Sequence, residues 1–154
     1  MENLEKKMFA QALKFLSIRE YSELELFNKL QKKFECNNSQ TIKEILDKLK
    51  GYNYLSDERF TTSKVKSLVN KKYGPNYIKL KMLSFGIESK FTSKAINNNL
   101  DQIEINLLSL IERKFKDSTF EEKNKLIRKL VSKGYDSSMI FKKIDEFLAK
   151  IESS

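Results

Sequence analysis

Cysteine and histidine are almost absent from this chain. Cys36 is the single cysteine, and none of the 154 residues is histidine. One thiol cannot form a disulfide framework within the chain, and without histidine it cannot make a structural zinc site. We therefore expect no metal and no cofactor. We expect Cys36 to be a small, half-buried apolar side chain.

Helix breakers and long apolar runs are also scarce. Four glycines and one proline interrupt the chain, and no apolar run reaches the length of about 18 residues that a membrane span needs. The N-terminal turns mix Glu2, Glu5, Lys6 and Lys7 instead of forming an apolar secretory segment. The composition is 40% hydrophobic and 33% charged, with many helix-forming residues. We expect a soluble, cytoplasmic, all-α protein.

Paired carboxylates are the remaining candidates for catalysis. Glu121 precedes Glu122, and Asp145 precedes Glu146. Neither pair has an evident nucleophile nearby, and each fits a solvated helix face or the preference for acidic residues at a helix start. No glycine-rich phosphate loop occurs in the sequence. We expect no enzymatic activity.

Residues 51–60 are predicted to form a hinge between two helical units. Gly51 can close a helix because it adopts positive φ without penalty. Ser56 or Asp57 can cap the next helix by accepting a bond from a free N–H group. Tyr52 and Leu55 are expected to pack as the chain turns.

Apolar periodicity predicts about nine helices in three units, residues 1–55, 56–100 and 101–154. The middle helices of the units correspond at offsets of 52 and 48 residues: Leu26, Leu30 and Phe34; Ile78, Met82 and Gly86; Leu126, Leu130 and Gly134. Such a period is typical of stacked helical repeats, so we expect an elongated, curved array of tandem three-helix repeats. An irregular helical bundle is the alternative.

Helix ends can be predicted from the same pattern. Gly86 and Gly134 are expected to have positive φ and to close their helices, whereas the helix containing Phe34 should continue to Asn37 or Asn38. Two capping boxes are expected, one at Ser22 with Glu25 and one at Ser118 with Glu121.

A set of residues in the first two units forms a more specific pattern. Its members are Arg19, Ser22, Glu25, Leu26, Gly51, Tyr52, Leu55, Asp57, Phe60, Gly74, Ile78 and Gly86. In these positions the chain resembles the RecX family of regulators of the bacterial recombinase RecA, which are built of tandem three-helix repeats. The resemblance extends, more loosely, to Lys133, Gly134 and Tyr135. Departures occur at Thr61, Met82 and Phe34, where the family usually has alanine, leucine and glycine.

The resemblance implies a non-enzymatic protein that binds RecA filaments on DNA and lies along their helical groove. It would restrain filament growth, ATP hydrolysis and strand exchange in DNA repair, recombination and the SOS response. The implied partners are the RecA filament and single-stranded DNA within or beside it, and we expect a monomer. Some family members instead support recombination by tempering RecA. We expect inhibition, although the sequence leaves the direction open.

Charge is uneven along the chain, whose net charge is +9. Residues 1–55 hold ten basic and eight acidic side chains, residues 56–100 hold nine and three, and residues 101–154 hold eleven and ten. The middle unit is therefore predicted to carry a filament-binding or DNA-binding surface. Its candidate residues are Lys64, Lys66, Lys71, Lys72, Tyr73, Tyr77, Lys79, Lys81, Lys90 and Lys94. The alternative for each lysine is an ordinary solvated surface.

Tyr73 and Tyr77 lie between these lysines and could stack on the bases of single-stranded DNA, although we favour core or rim packing. A second hypothesis for the whole chain is a stand-alone DNA-binding protein. Against it, only four arginines occur, and no helix combines arginines with Asn or Gln as base readers. A third hypothesis is a helical scaffold unrelated to DNA, but this function would leave the positive charge of the middle unit unexplained.

Overall fold

The computed structural model describes residues 2–35, 38–115 and 119–153, and these ranges contain nine α-helices and no strand. The helices are α1 (Glu2–Ile18), α2 (Glu23–Phe34), α3 (Ser39–Gly51), α4 (Asp57–Asn70), α5 (Pro75–Ser84), α6 (Ser89–Asn98), α7 (Leu100–Lys114), α8 (Phe120–Ser132) and α9 (Ser137–Ser153). The predicted all-α fold with about nine helices is confirmed. None of the described helices is both long and apolar enough to cross a membrane. Cys36 and Asn37 lie outside the described residues.

The chain forms two compact units, and the first comprises Met1–Ser63 and Met82–Phe91. Helices α1, α2 and α3 pack on one another because each carries apolar residues at spacings of three and four. Their buried side chains form one cluster: Met8, Ala12, Tyr21, Leu26, Leu30, Ile42, Ile45, Leu46, Leu49 and Leu55. Each fully buried leucine or isoleucine contributes about 1.5–3 kcal/mol.

The second unit comprises Lys64–Lys81 and Thr92–Ser154. Helix α7 packs against α8 and α9, which also contact each other. The buried residues of these three helices and their connections include Ile103, Leu107, Ile111, Leu126, Leu130, Tyr135, Ile140 and Ile144. Helices α4, α5 and α6 each have residues in both units. Seven apolar residues were used to align the repeats, and all of them except Phe34 are buried, as expected.

Two of the three predicted helix ends are correct. Gly86 has φ of 73° and Gly134 has φ of 103°, and the buried Ile87 and Tyr135 follow them. The prediction for α2 was wrong, because this helix ends at Phe34 and Glu35 adopts the left-handed conformation with φ of 46°. Phe34 packs on the core of the first unit and is held inside the helix, so the left-handed position falls on the next residue.

The hinge at residues 51–60 differs from its prediction in the residue that turns the chain. Gly51 is the last residue of α3, and Asn53 instead adopts positive φ, at 62°. Asparagine tolerates this region better than most side chains. Leu55 is buried as expected, but Tyr52 is 65% exposed and does not pack into the core. The Ser56 hydroxyl accepts a hydrogen bond from the Arg59 N–H at 3.1 Å, so Ser56 caps α4.

The two predicted capping boxes had different outcomes. At the start of α2, the Ser22 hydroxyl accepts from the Glu25 N–H at 3.1 Å, and the Glu25 carboxylate accepts from the Ser22 N–H at 3.2 Å. This box is confirmed. Ser118 lies outside the described residues, and α8 begins one residue later than predicted, with Thr119 as its cap accepting from the Glu122 N–H.

Candidate functional site

The segment Lys64–Lys81 is the most basic part of the second unit. It contains six lysines and no acidic residue. Lys66, Lys71 and Lys79 are exposed and make no ion pair with any described residue. Lys81 is also exposed, whereas Lys64 and Lys72 are half-buried. The segment therefore presents a local excess of positive charge to solvent, in agreement with the uneven charge of the sequence.

The two remaining candidate lysines differ from this group. Lys90 belongs to the first unit and pairs with Glu88 at 3.4 Å. Lys94 belongs to the second unit and is exposed on α6. Lys90 is therefore partly neutralised, and nine of the ten predicted site residues belong to the second unit.

Tyr73 and Tyr77 stack on each other. Their ring centroids are 4.0 Å apart and their planes differ by 9°. The Lys133 ammonium lies 5.0 Å from the centre of the Tyr73 ring, within the range of a cation–π contact. Both tyrosines are half-buried, so part of the stack faces solvent. They pack at a rim and not in the core, and whether they also stack on bases remains a prediction.

The turn that carries these tyrosines is joined to the end of α8 by backbone contacts. The Lys133 carbonyl accepts from the Gly74 N–H, and the Gly134 carbonyl accepts from the Asn76 N–H, both at 2.8 Å. A Cβ atom on Gly74 would lie 2.5 Å from the Gly134 carbonyl carbon, and one on Gly134 would lie 2.4 Å from the Tyr77 nitrogen. The two segments can approach this closely only because both residues are glycine.

Two side chains hold the C-terminal end of α4 from elsewhere in the second unit. The buried Asn106 of α7 donates to the Val69 carbonyl, and the Tyr135 hydroxyl donates to the Lys72 carbonyl, each at 2.8 Å. Burial raises the pKa of Tyr135 to about 12, so the hydroxyl keeps its proton near neutral pH. Lys72 itself has φ of 69°. Sequence reasoning missed Lys133, Asn106 and Tyr135 as neighbours of the lysine segment, because they lie far away along the chain.

No group of three potential metal ligands of the His, Cys, Asp or Glu type comes together among the residues that the structure describes. The buried side-chain nitrogen and oxygen atoms in these ranges all have hydrogen-bond partners. The chemistry of the site is therefore that of exposed ammonium groups and aromatic rings, which suits the binding of an anionic surface.

Comparison with known proteins identifies the family. A family model described as "RecX, third three-helix domain" matches residues 104–144. The regulatory protein RecX of Legionella pneumophila (strain Corby) is 32% identical over 144 residues, which cover 91% of this chain and 94% of that protein. The chain belongs to the RecX family. The regulatory protein RecX of Syntrophotalea carbinolica is 31% identical over 148 residues, covering 90% and 94%.

Solved RecX structures have the same fold. The crystal structure of RecX from Lactobacillus salivarius has a TM-score of 0.81 with this chain at 24% identity, covering 95% of this chain and 97% of the other. A second crystal structure, of a regulatory protein RecX, has a TM-score of 0.80 at 21% identity and covers 92% and 72%. With the three-helix domain matched above, this confirms the predicted tandem three-helix units.

The RecX-type residues near the start of α2 make structural contacts in the first unit. Arg19 donates two bonds to the Glu25 carboxylate, at 3.0 and 3.3 Å, and its guanidinium lies 3.7 Å from the centre of the Tyr21 ring. The hydrogen bond with Glu25 raises the pKa of Arg19. Ser22 is fully buried within the capping box. Arg19, Ser22 and Glu25 thus fix the connection between α1 and α2.

Asp57 extends this cluster from another helix. Its carboxylate accepts a hydrogen bond from the Glu23 N–H at 2.7 Å, so α4 supplies a second cap for α2. Nearby, Arg59 donates two bonds to the Glu20 carboxylate, at 2.8 and 3.4 Å. Phe60 packs edge to face on Phe85 with a centroid distance of 5.2 Å. Asp57 and Phe60, which belong to the set of residues shared with the RecX family, therefore stabilise the fold of the first unit.

We expect Asp57→Asn to remove a pH dependence of stability. Burial, with the nearby Glu23 and Glu88 carboxylates, raises the pKa of Asp57 above its ordinary value of 3.8, although the bond from the Glu23 N–H and the charge of Lys50 lower it. Because the folded state binds this proton more tightly, the wild-type protein loses stability as pH rises from 3.8 to the raised pKa. The amide oxygen can accept the same bond without becoming charged.

The measurement is urea unfolding from about pH 3 to about pH 7. The free energy of unfolding of the Asn variant should rise relative to wild type through this window. Asp57→Ala, which removes the acceptor, should be less stable than Asp57→Asn by about 1 kcal/mol at every pH. A wild-type protein that gains stability over the Asn variant as pH rises would contradict this account.

Proposed function

We propose that the protein binds filaments of the RecA recombinase on single-stranded DNA and restrains their growth, ATP hydrolysis and strand exchange. The observation that carries the proposal is the family: 144 aligned residues at 32% identity to a regulatory protein RecX, along almost the full length of both chains. The protein would act as a non-catalytic, cytoplasmic monomer without a cofactor. Inhibition is the expected direction, and support of recombination is the other outcome that an assay can give.

The lysine segment supports an anionic partner. Lys66, Lys71 and Lys79 are exposed, lack ion pairs among the described residues and lie in a stretch without carboxylates. A protein–DNA filament presents phosphates and acidic side chains, and complementary charge mainly raises the rate and specificity of such an encounter. We propose that this segment is the filament contact.

A stand-alone DNA-binding protein is the competing function. The stacked tyrosines among lysines favour it, but the arginines do not. Arg19 and Arg59 are engaged with Glu25 and Glu20, so only Arg113 and Arg128 remain for bidentate contacts with guanine. Lysine-rich surfaces bind phosphates without reading sequence.

A pull-down on immobilised single-stranded DNA distinguishes the two functions. The DNA is used bare and after assembly of the RecA filament with a slowly hydrolysed nucleotide. We expect clearly stronger retention on the filament. In a separate assay with ATP, adding the protein should change the rate of ATP hydrolysis. Equal retention on both supports would favour the stand-alone DNA-binding protein, and no retention on the filament would contradict the proposal.

A further inference from the structure

A second basic surface lies between α7 and α8, in a part of the chain whose net charge is close to zero. A small groove there, of about 90 Å³, is lined by three leucines and by Arg113, Lys114, Lys129 and Lys133. No carboxylate of the described residues lines it. The exposed wall of the groove is mostly apolar, so the charged head groups of these residues lie at its rim and not inside it.

The helices explain why these cations meet. Arg113 lies in the last turn of α7, Lys129 lies in the last turn of α8, and Lys133 follows the end of α8. Basic side chains are favoured at helix C-termini because they interact with the negative end of the helix dipole. That preference explains each residue alone. The packing of α7 on α8 then places them around one groove that is lined by cations and leucines.

Lys133 connects this groove to the stacked tyrosines. Its side chain lines the groove and its ammonium lies 5.0 Å from the centre of the Tyr73 ring. Its carbonyl is bonded to the Gly74 N–H, so the positions of groove and tyrosines are fixed relative to each other within the second unit. The two features thus form one surface, defined by Arg113, Lys129, Lys133, Tyr73 and Tyr77.

We propose that this surface binds single-stranded nucleic acid, with phosphates at the rim of the groove and an unpaired base stacked on the Tyr73–Tyr77 pair. Because the Lys133 ammonium lies over the Tyr73 ring, a third ring would stack on the Tyr77 side of the pair, and bases of any sequence can fill that position. Duplex bases are already stacked on one another and cannot do so. An acidic peptide would match the cations but has no use for the aromatic stack.

The inference rests on the proposed function, since it identifies the DNA contact made beside the filament, but its test needs no recombinase. Fluorescence anisotropy of labelled oligo-dT measures binding by the full chain over a range of salt concentrations. In R113Q/K129Q/K133Q three phosphate contacts are lost, so the slope of log affinity against log salt should become shallower by about 2. Circular dichroism confirms that helix content is unchanged.

A matched control has the same change in charge and composition. Arg128, Lys142 and Lys150 are exposed and make no ion pair with a described residue. Arg128 lies about 200° around α8 from the groove residue Leu126, at about 100° per residue. R128Q/K142Q/K150Q should keep the wild-type slope. Equal loss in both triple variants would overturn the groove as the binding site.

The tyrosines give an independent readout. Tyr77→Leu should weaken oligo-dT binding about tenfold without changing the salt slope, and Tyr77→Phe should restore it because stacking needs only the ring. The chain has six tyrosines and no tryptophan, so DNA binding should also change its intrinsic fluorescence, and this change should shrink in the leucine variant.

Three results would overturn the inference: no binding of oligo-dT by the wild-type protein, equal binding of a duplex, or competition by poly-glutamate as strong as by oligo-dT. The last would identify an acidic protein site. Filament capture in the pull-down is measured separately. A protein that captures the filament but ignores oligo-dT would therefore disprove this surface while leaving the proposed function intact.

Discussion

Replacing Gly134 by alanine is expected to lower the free energy of unfolding by about 2–5 kcal/mol. Two effects add at this position. The φ of 103° is unfavourable for any side chain with a Cβ atom, and that atom would lie 2.4 Å from the Tyr77 nitrogen. Because the obstacle is backbone, it cannot move aside as a side chain end could. Chemical unfolding followed by circular dichroism measures the loss.

Two of the other glycines, Gly51 and Gly86, provide graded controls for this experiment. Gly51 is helical and nothing lies within 4 Å of the position that an added Cβ atom would take, so Gly51→Ala should stabilise by about 0.5–1 kcal/mol. Gly86→Ala should fall between the two. Its φ is 73°, but the nearest atoms are the Cβ and Cδ2 of Leu24, both at 3.0 Å, which is less close than the backbone atoms that face Gly134. If Gly134→Ala were as well tolerated as Gly51→Ala, this result would contradict the close approach of Gly134 to the Tyr77 backbone in α5.

Reversing the charge of Lys66, Lys71 and Lys79 to glutamate should weaken filament binding at least about a hundredfold, because like charges facing each other across an interface cost several kcal/mol. All three are exposed and make no ion pair with a described residue. Folding should therefore survive, whereas Lys72 has positive φ and a bonded carbonyl and is a poorer choice. Binding to the assembled filament and inhibition of its ATPase are the measurements.

The control is the reversal of Arg128, Lys142 and Lys150. Both triple variants change the net charge from +9 to +3, so a general attraction between a basic protein and a polyanion would be weakened equally. We expect the control to retain most binding. Similar loss in the two variants would show that the lysine segment has no special part in the contact. Wild-type binding should also weaken as salt rises.

Local signals predicted the helices well. The capping box of Ser22 and Glu25 and the positive φ of Gly86 and Gly134 each depend on a few neighbouring residues, and all are confirmed. The errors occurred where a packed side chain or another residue type moved a helix end. Phe34 is held by the core, so Glu35 turns the chain, and Asn53 takes the left-handed conformation expected for Gly51.

The candidate sites could be predicted only in part. The lysine segment is visible in the sequence because its charges are contiguous. The groove between α7 and α8 is hidden, since Arg113 and Lys133 lie in a part of the chain where basic and acidic residues nearly balance, and they come together only through helix packing. The contact of Gly74 with Gly134 joins segments that are far apart along the chain, and no local pattern indicates it.

The hydrogen bond from Tyr135 to the Lys72 carbonyl also sets an order of events during protein synthesis. The two residues are 63 positions apart, so at about 5–20 residues per second the ribosome adds Tyr135 roughly 3–13 s after Lys72. Until then the Gly74 and Asn76 N–H groups also lack their partners at the end of α8. The turn from Lys72 to Asn76, although central in the chain, is therefore among the last parts of the nascent protein to reach its final conformation.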